Sequence, residues 1–218
     1  MLNTRIHRPF RLVVIMLVLL LKLSLPQAMA GENSQSTQHI ILVMGDSISA
    51  GFGIAKEQGW VNLLRQKVTK SHPGSQVINA SISGETTSGG ANRIRSTLEL
   101  HKPTLVIIEL GGNDGLRGTP IKLMKKNLTR MINLSQRAGA KVLLLGMRIP
   151  PNYGQTYSER FSGQYKQLAL EQQINLVPFL LTGIAGRAGM MQADGIHPTQ
   201  NAQPLIMQSV WQQLMLLM

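Results

Sequence analysis

The chain contains no cysteine among its 218 residues. That excludes a disulfide framework, a thiolate metal site and a lipid anchor attached through cysteine. A chain so built is safe in an oxidising compartment. Acidic residues are also scarce, ten Asp and Glu against 22 Lys and Arg, so the formal charge is +12. Aromatic residues make up only 4% of the chain, and no basic stripe interleaved with aromatics is present. Nucleic acid is therefore not the expected partner. Solubility is the most economical account of the charge, followed by transient attraction to anionic lipid headgroups. The five histidines show no ligand spacing, so neither metal nor other cofactor is expected. No internal repeat, low-complexity linker or change of composition divides the chain, which points to one domain.

What is present begins with a leader pattern. Residues 1–11 are basic, residues 12–21 are an unbroken apolar run, and Ala28-Met29-Ala30 offers small residues before Gly31. This is the layout of a signal peptide. The run is shorter than the roughly 20 apolar residues of a membrane span, and Lys22 ends it. Cleavage after Ala30 leaves residues 31–218 with a charge of about +8, because Arg5, Arg8, Arg11 and Lys22 depart. The expected location is a periplasm or the cell exterior.

The rest alternates between two periodicities. Apolar runs at about 39–45, 77–80, 105–110, 142–147 and 175–179 read as strands. Between them, Trp60-Val61-Leu64-Val68, Ile94-Leu98, Ile121-Met124-Leu128-Met131-Ile132 and Tyr157-Phe161-Tyr165-Leu168 recur at helical spacing. Ile206, Val210 and Leu214 mark a final helix from about 201. Five near-continuous apolar strands alternating with helices predict an α/β fold with a parallel sheet covered on both faces. Lys122, Lys126 and Arg130 lie four apart on a predicted solvated face.

The first strand stops at Gly45 and passes into Asp46-Ser47. A serine at the carboxyl end of a core strand sits where parallel sheets place their chemistry. Gly84 follows the second strand and Asn113 the third, while Asp194 and His197 lie in the irregular stretch after the last. All five therefore belong to one sheet edge. A serine hydroxyl is a weak nucleophile until a base takes its proton. His197 is the candidate base, and Asp194, three residues earlier, the candidate partner for its other ring N–H. The Asn113 amide and the backbone N–H groups of Ser47 and Gly84 are the candidate donors to a developing oxyanion. Imidazole accepts a proton only when neutral, so the rate is expected to rise through roughly pH 6–8.

Gly45-Asp46-Ser47-Ile48-Ser49, Gly84, Gly111-Gly112-Asn113-Asp114 and Asp194-Gly195-Ile196-His197-Pro198 resemble the four sequence blocks of the SGNH, or GDSL-type, hydrolases. The likeness is greatest to the bacterial periplasmic acyl-CoA thioesterase I/lysophospholipase L1/arylesterase group. The resemblance implies a flavodoxin-like three-layer sandwich with strand order 2-1-3-4-5, and no metal. It implies hydrolysis of acyl esters, thioesters and lysophospholipids through an acyl-serine, and a segment 115–120 that shifts when an acyl chain binds. Glu85, Thr87 and Ala193 depart from the family pattern, which bears on substrate preference. The alternatives are a carbohydrate O-deacetylase on the same fold and a non-catalytic acyl- or lipid-binding protein. Leu116, Ile149, Pro150, Tyr153 and Tyr157 are the candidate walls of an acyl groove, Asp114 and Arg117 a candidate local ion pair, and the protein an expected monomer. The apolar end, residues 214–218, is expected either to pack on the core or to touch membrane.

Overall fold

The computed structural model describes residues 38–218; the expected leader, residues 1–30, lies outside them. Strand β1 (Ile40–Gly45) and strand β3 (Leu105–Glu109) form the centre of the sheet, and every residue in them except Ile40 is buried. Their unbroken aliphatic runs suit strands covered on both faces. Strand β2 (Gln76–Asn79) pairs with β1, β4 (Lys141–Leu145) with β3, and β5 (Asn175–Val177) with β4. All pairings are parallel, and the order is β2-β1-β3-β4-β5. The register sets Gly45 beside Glu109, which places the residue after β1 against the end of its neighbour.

The long helices are α2 (Trp60–Ser71), α3 (Thr87–His101), α5 (Ile121–Arg137), α6 (Gln155–Gln172) and α7 (Gln203–Leu214). Two short ones, α1 (Ser47–Ala50) and α4 (Gly112–Leu116), follow β1 and β3. Helix α2 packs on α7, and α3 on α5, which in turn meets α6. The predicted stripes are the buried ones, from Trp60, Val61, Leu64 and Val68 on α2 to Ile206, Val210 and Leu214 on α7. Each such aliphatic side chain removed from water contributes about 1.5–3 kcal/mol. Lys122, Lys126 and Arg130 are exposed.

The boundaries differ from expectation mainly at the far edge. Strand β4 ends at Leu145: the Gly146 N–H still reaches the Val177 carbonyl of β5 (2.8 Å), but the bond returning to the Gly146 carbonyl comes from Leu180 (2.9 Å), after β5 has ended. The apolar chain end packs on the protein. Leu217 and Met218 lie against the core, and Lys141 Nζ donates to the Leu217 carbonyl at 2.6 Å.

Candidate active site

Asp46 makes the corner after β1. Its Oδ1 accepts the Ile48 N–H (3.0 Å), so Asp46 rather than Ser47 caps the four-residue helix α1. That leaves the Ser47 hydroxyl free of the capping role. The helix ends at Gly51, whose φ of +79° closes the turn with a left-handed residue. Ser47 is only 8% exposed.

The segment carrying Asp194 and His197 folds back on itself. Met191 bridges Pro198, the Gln192 N–H donates to the His197 carbonyl (2.8 Å), and the Thr199 N–H donates to the Met190 carbonyl (2.8 Å). Gln192 Nε2 ties this loop to the Phe52 carbonyl (2.8 Å), and Phe52 packs on the His197 ring with centroids 4.5 Å apart. The loop thereby presents His197 Nε2 at 2.9 Å from Ser47 Oγ and His197 Nδ1 at 2.6 Å from Asp194 Oδ2. The second oxygen of Asp194 accepts the N–H groups of Ile196 (2.9 Å) and His197 (3.0 Å). The hydrogen bond to the imidazole, then that from the His197 N–H, hold the Asp194 carboxyl down at about 2. It is therefore an anion throughout the working pH range.

Gly84 and Asn113 arrive on two turns stitched together. Gly84 has a φ of +78°, and a side chain there would meet only Arg117, at 3.7 Å. Backbone conformation, not space, demands the glycine. The Asn113 amide nitrogen donates to the Glu85 carbonyl (3.0 Å) and to Asp46 Oδ2 (3.1 Å). Among the described residues, the N–H groups of Ser47 and Gly84 have no protein acceptor. Two donors are thus free and the third is already engaged. Asp114 and Arg117 do not pair, contrary to expectation. Asp114 accepts the N–H (2.7 Å) and hydroxyl (2.6 Å) of Thr87 at the start of α3, and Arg117 donates to the Gly84 carbonyl (3.1 Å). Both side chains lock the two turns together. Glu85 and Thr87, the departures from the family pattern, take part in this frame, Glu85 through an ion pair with Arg93.

A cleft of about 450 Å³ opens over Ser47 and His197. Leu116, Ile149 and Pro150 line it as expected; Tyr153 and Tyr157 do not. Their hydroxyls turn to backbone carbonyls, Tyr153 to Leu116 (3.2 Å) and Tyr157 to Gly115 (3.5 Å), so the rings brace the last turn of α4. The rest of the wall is mostly apolar, from Ile48, Met147, Phe179, Leu181, Ala185, Met191 and Ile196, with Arg148, among the described residues, the one charged side chain besides Asp46 and the Ser47–His197 corner. Phe179 was expected to close the last strand, which instead ends at Val177; Leu181 and Met191 had no sequence signal, because their loop has no periodicity from which to infer a facing. Among the described residues no group of His, Asp and Glu is arranged to hold a metal.

This geometry provides a hydroxyl with a base in contact, an anion behind the base, N–H groups nearby and an apolar cleft, the parts needed for acyl transfer to serine. Comparison with known proteins agrees. Residues 43–203 match the GDSL-like lipase/acylhydrolase family. Over 177 residues the chain is 49% identical to esterase TesA of Pseudomonas aeruginosa, covering 81% of this chain and 88% of that one. Over 166 residues it is 40% identical to thioesterase 1/protease 1/lysophospholipase L1 of Escherichia coli, covering 76% and 78%. A crystal structure of TesA superposes with a TM-score of 0.81 at 49% identity, covering 83% of this chain and all of that one. A five-stranded parallel sheet, a serine at its edge and relatives at this level of identity lead to one assignment: the chain belongs to the GDSL-like lipase/acylhydrolase family and is an ester and thioester hydrolase.

Proposed function

We propose that the protein is an exported serine esterase working through an acyl-serine on acyl esters, thioesters and lysophospholipids. The observation that carries this reading is the continuous relay from Ser47 Oγ through the His197 ring to Asp194, at 2.9 and 2.6 Å. Ser47 Oγ attacks the carbonyl carbon as His197 Nε2 takes its proton. Asp194 holds the ring and stabilises the imidazolium. The carbonyl oxygen becomes an oxyanion facing the N–H groups of Ser47 and Gly84 and the amide of Asn113. Collapse expels the alcohol or thiol, protonated by His197, and leaves the acyl-serine. Water, deprotonated by His197, then releases the acid and restores Ser47. The reaction uses no metal or cofactor.

The apolar cleft walls, from Leu116 and Ile149 to Phe179 and Leu181, favour an acyl chain over a sugar, which needs convergent polar groups. This weighs against the O-deacetylase alternative. The reading includes cleavage of residues 1–30 on export, a monomer, and passing contact with membrane surfaces through the basic charge. Ser47→Ala tests it. Hydrolysis of p-nitrophenyl esters should fall to near background while the protein stays folded, and a fluorophosphonate should label wild type but not the variant. Unchanged hydrolysis by Ser47→Ala would overturn the assignment, and a substrate panel preferring acetylated sugars would favour the deacetylase.

A further inference from the structure

A second acidic cluster lies directly behind the nucleophile and has no part in the relay. Glu109 ends β3 and is 0% exposed. Its Oε2 accepts the Asp46 N–H (3.1 Å) and the Ser49 hydroxyl (2.7 Å). Among the described residues its Oε1 has no hydrogen-bond partner; the Glu109 and Asp46 carboxyls are within hydrogen-bonding reach of each other once one of them carries a proton. Asp46, 2% exposed, accepts from Ile48 N and Asn113 Nδ2. The room is deliberate: a Cβ on Gly45 would lie 2.7 Å from Glu109 Oε2 and 2.6 Å from Ser49 Oγ. Glycine at this position is what admits the carboxyl.

Among the described residues no cation is paired with either carboxyl. The other ionisable groups that bear on the two are the Tyr165 hydroxyl, donating to the Leu110 carbonyl (3.0 Å), and His197; Asp114, which bears on Tyr165, is bound to Thr87, and the Arg93 guanidinium is paired with Glu85. Two adjacent buried carboxyls with no counter-ion cannot both ionise. We propose that Asp46 and Glu109 share one proton, with Glu109 the neutral acid donating to an ionised Asp46, and that Asp46 thereby positions the Asn113 amide for the oxyanion. The inference rests on the serine reading above. Directions of titration agree. Burial first, then the charge of Asp46, push Glu109 well up, whereas burial pushes Asp46 only to about 6. A charge-assisted bond to Asn113 is stronger than a neutral one, so it fixes the amide plane while the other hydrogen is shared with the arriving oxyanion. Asp46 and Glu109 are positioning residues; neither meets the reacting atoms.

Isotope-edited infrared spectroscopy of wild-type protein carrying carbon-labelled glutamate reads the proton directly. A protonated glutamic acid band should persist at about pH 8, far above the ordinary carboxyl range, and vanish in Glu109→Gln. Asp46→Asn sets a donor against a donor, so kcat should fall roughly tenfold to hundredfold with KM changed less than about threefold. Its acid limb should also be less steep than that of wild type. Glu109→Gln keeps both the acceptor and the donor and should hold kcat within about fivefold, whereas Glu109→Ala should lose far more. Absence of the acid band, an Asp46→Asn kcat equal to wild type, or Glu109→Gln as damaged as Glu109→Ala would each overturn the pair. Wild-type protein that a fluorophosphonate does not label overturns the serine reading and the pair's role with it. Labelled protein without the band overturns the pair alone.

Discussion

Two aspartates of this site live in opposite surroundings. Asp46 is 2% exposed in the corner behind Ser47 and is pushed up to about 6 by burial. The Asp194 side chain is 38% exposed on the loop after the last strand and is held down at about 2 by its hydrogen bonds. The corner is built into the sheet: Glu109, Ser49 and Asn113 all lock to it, and β1 beneath it is buried from Ile41 on. The loop hangs by a bridge at Met191–Pro198 and by Gln192. A carboxylate that must stay charged is kept near water, and one that must orient a neighbour is buried. Function in the loop is expected to be separable from stability; in the corner the two are joined.

The largest effects should fall on rate. Ser47→Ala is expected to lower kcat by roughly 10⁴–10⁶ on p-nitrophenyl esters. Asp194→Asn should cost roughly 10³–10⁴ in kcat by leaving His197 without its anion, yet change the melting temperature little, as scanning calorimetry would read. A large drop in melting temperature would show the loop to be part of the structural frame. Asn113→Ala should cost roughly 10²–10³ in kcat, the worth of one oxyanion donor. On the corner side, Ile108→Ala, at a 0% exposed position, should destabilise by roughly 2–5 kcal/mol in urea titration while residual folded protein keeps its kcat.

The smallest effect separates the two aspartates by sign. The ordinary value for the side chain is 3.8. Asp46, raised in the folded protein, contributes stability that is full below pH 3.8 and lost as pH rises through about 6. Asp194, lowered, contributes stability that is present above pH 3.8 and lost as pH falls through about 2. Melting temperatures across pH should therefore show Asp46→Asn gaining on wild type as pH rises from 4 to 6. Asp194→Asn should lose its deficit below pH 4. Parallel curves for both variants would break the comparison.

Much of this was legible in the residues. The strand and helix pattern followed from periodicity, and Ser47, Gly84, Asn113, Asp194 and His197 converged because strand ends in a parallel sheet share an edge. Glu109 carried a signal that invited notice, an acid closing the run Leu105-Val106-Ile107-Ile108. Its partner could not be read, since the Gly45–Glu109 register exists only once the strands pair. Tyr153 and Tyr157, expected among the cleft walls, lie outside them because the direction of each ring is set by the carbonyl its hydroxyl finds. The Asp114–Arg117 pair failed for the same reason: Thr87 and the Gly84 carbonyl were better placed.

Sequence by itself determined the alternation of strands and helices, because hydrophobic period is a local property, and it offered the candidate reacting groups, because reaction chemistry is a property of side-chain type. Tertiary structure alone decided the distances within the relay, the walls of the cleft and the company each carboxyl keeps. Those depend on burial and on contacts between residues as far apart in the chain as Ser47 and His197, which no local pattern encodes.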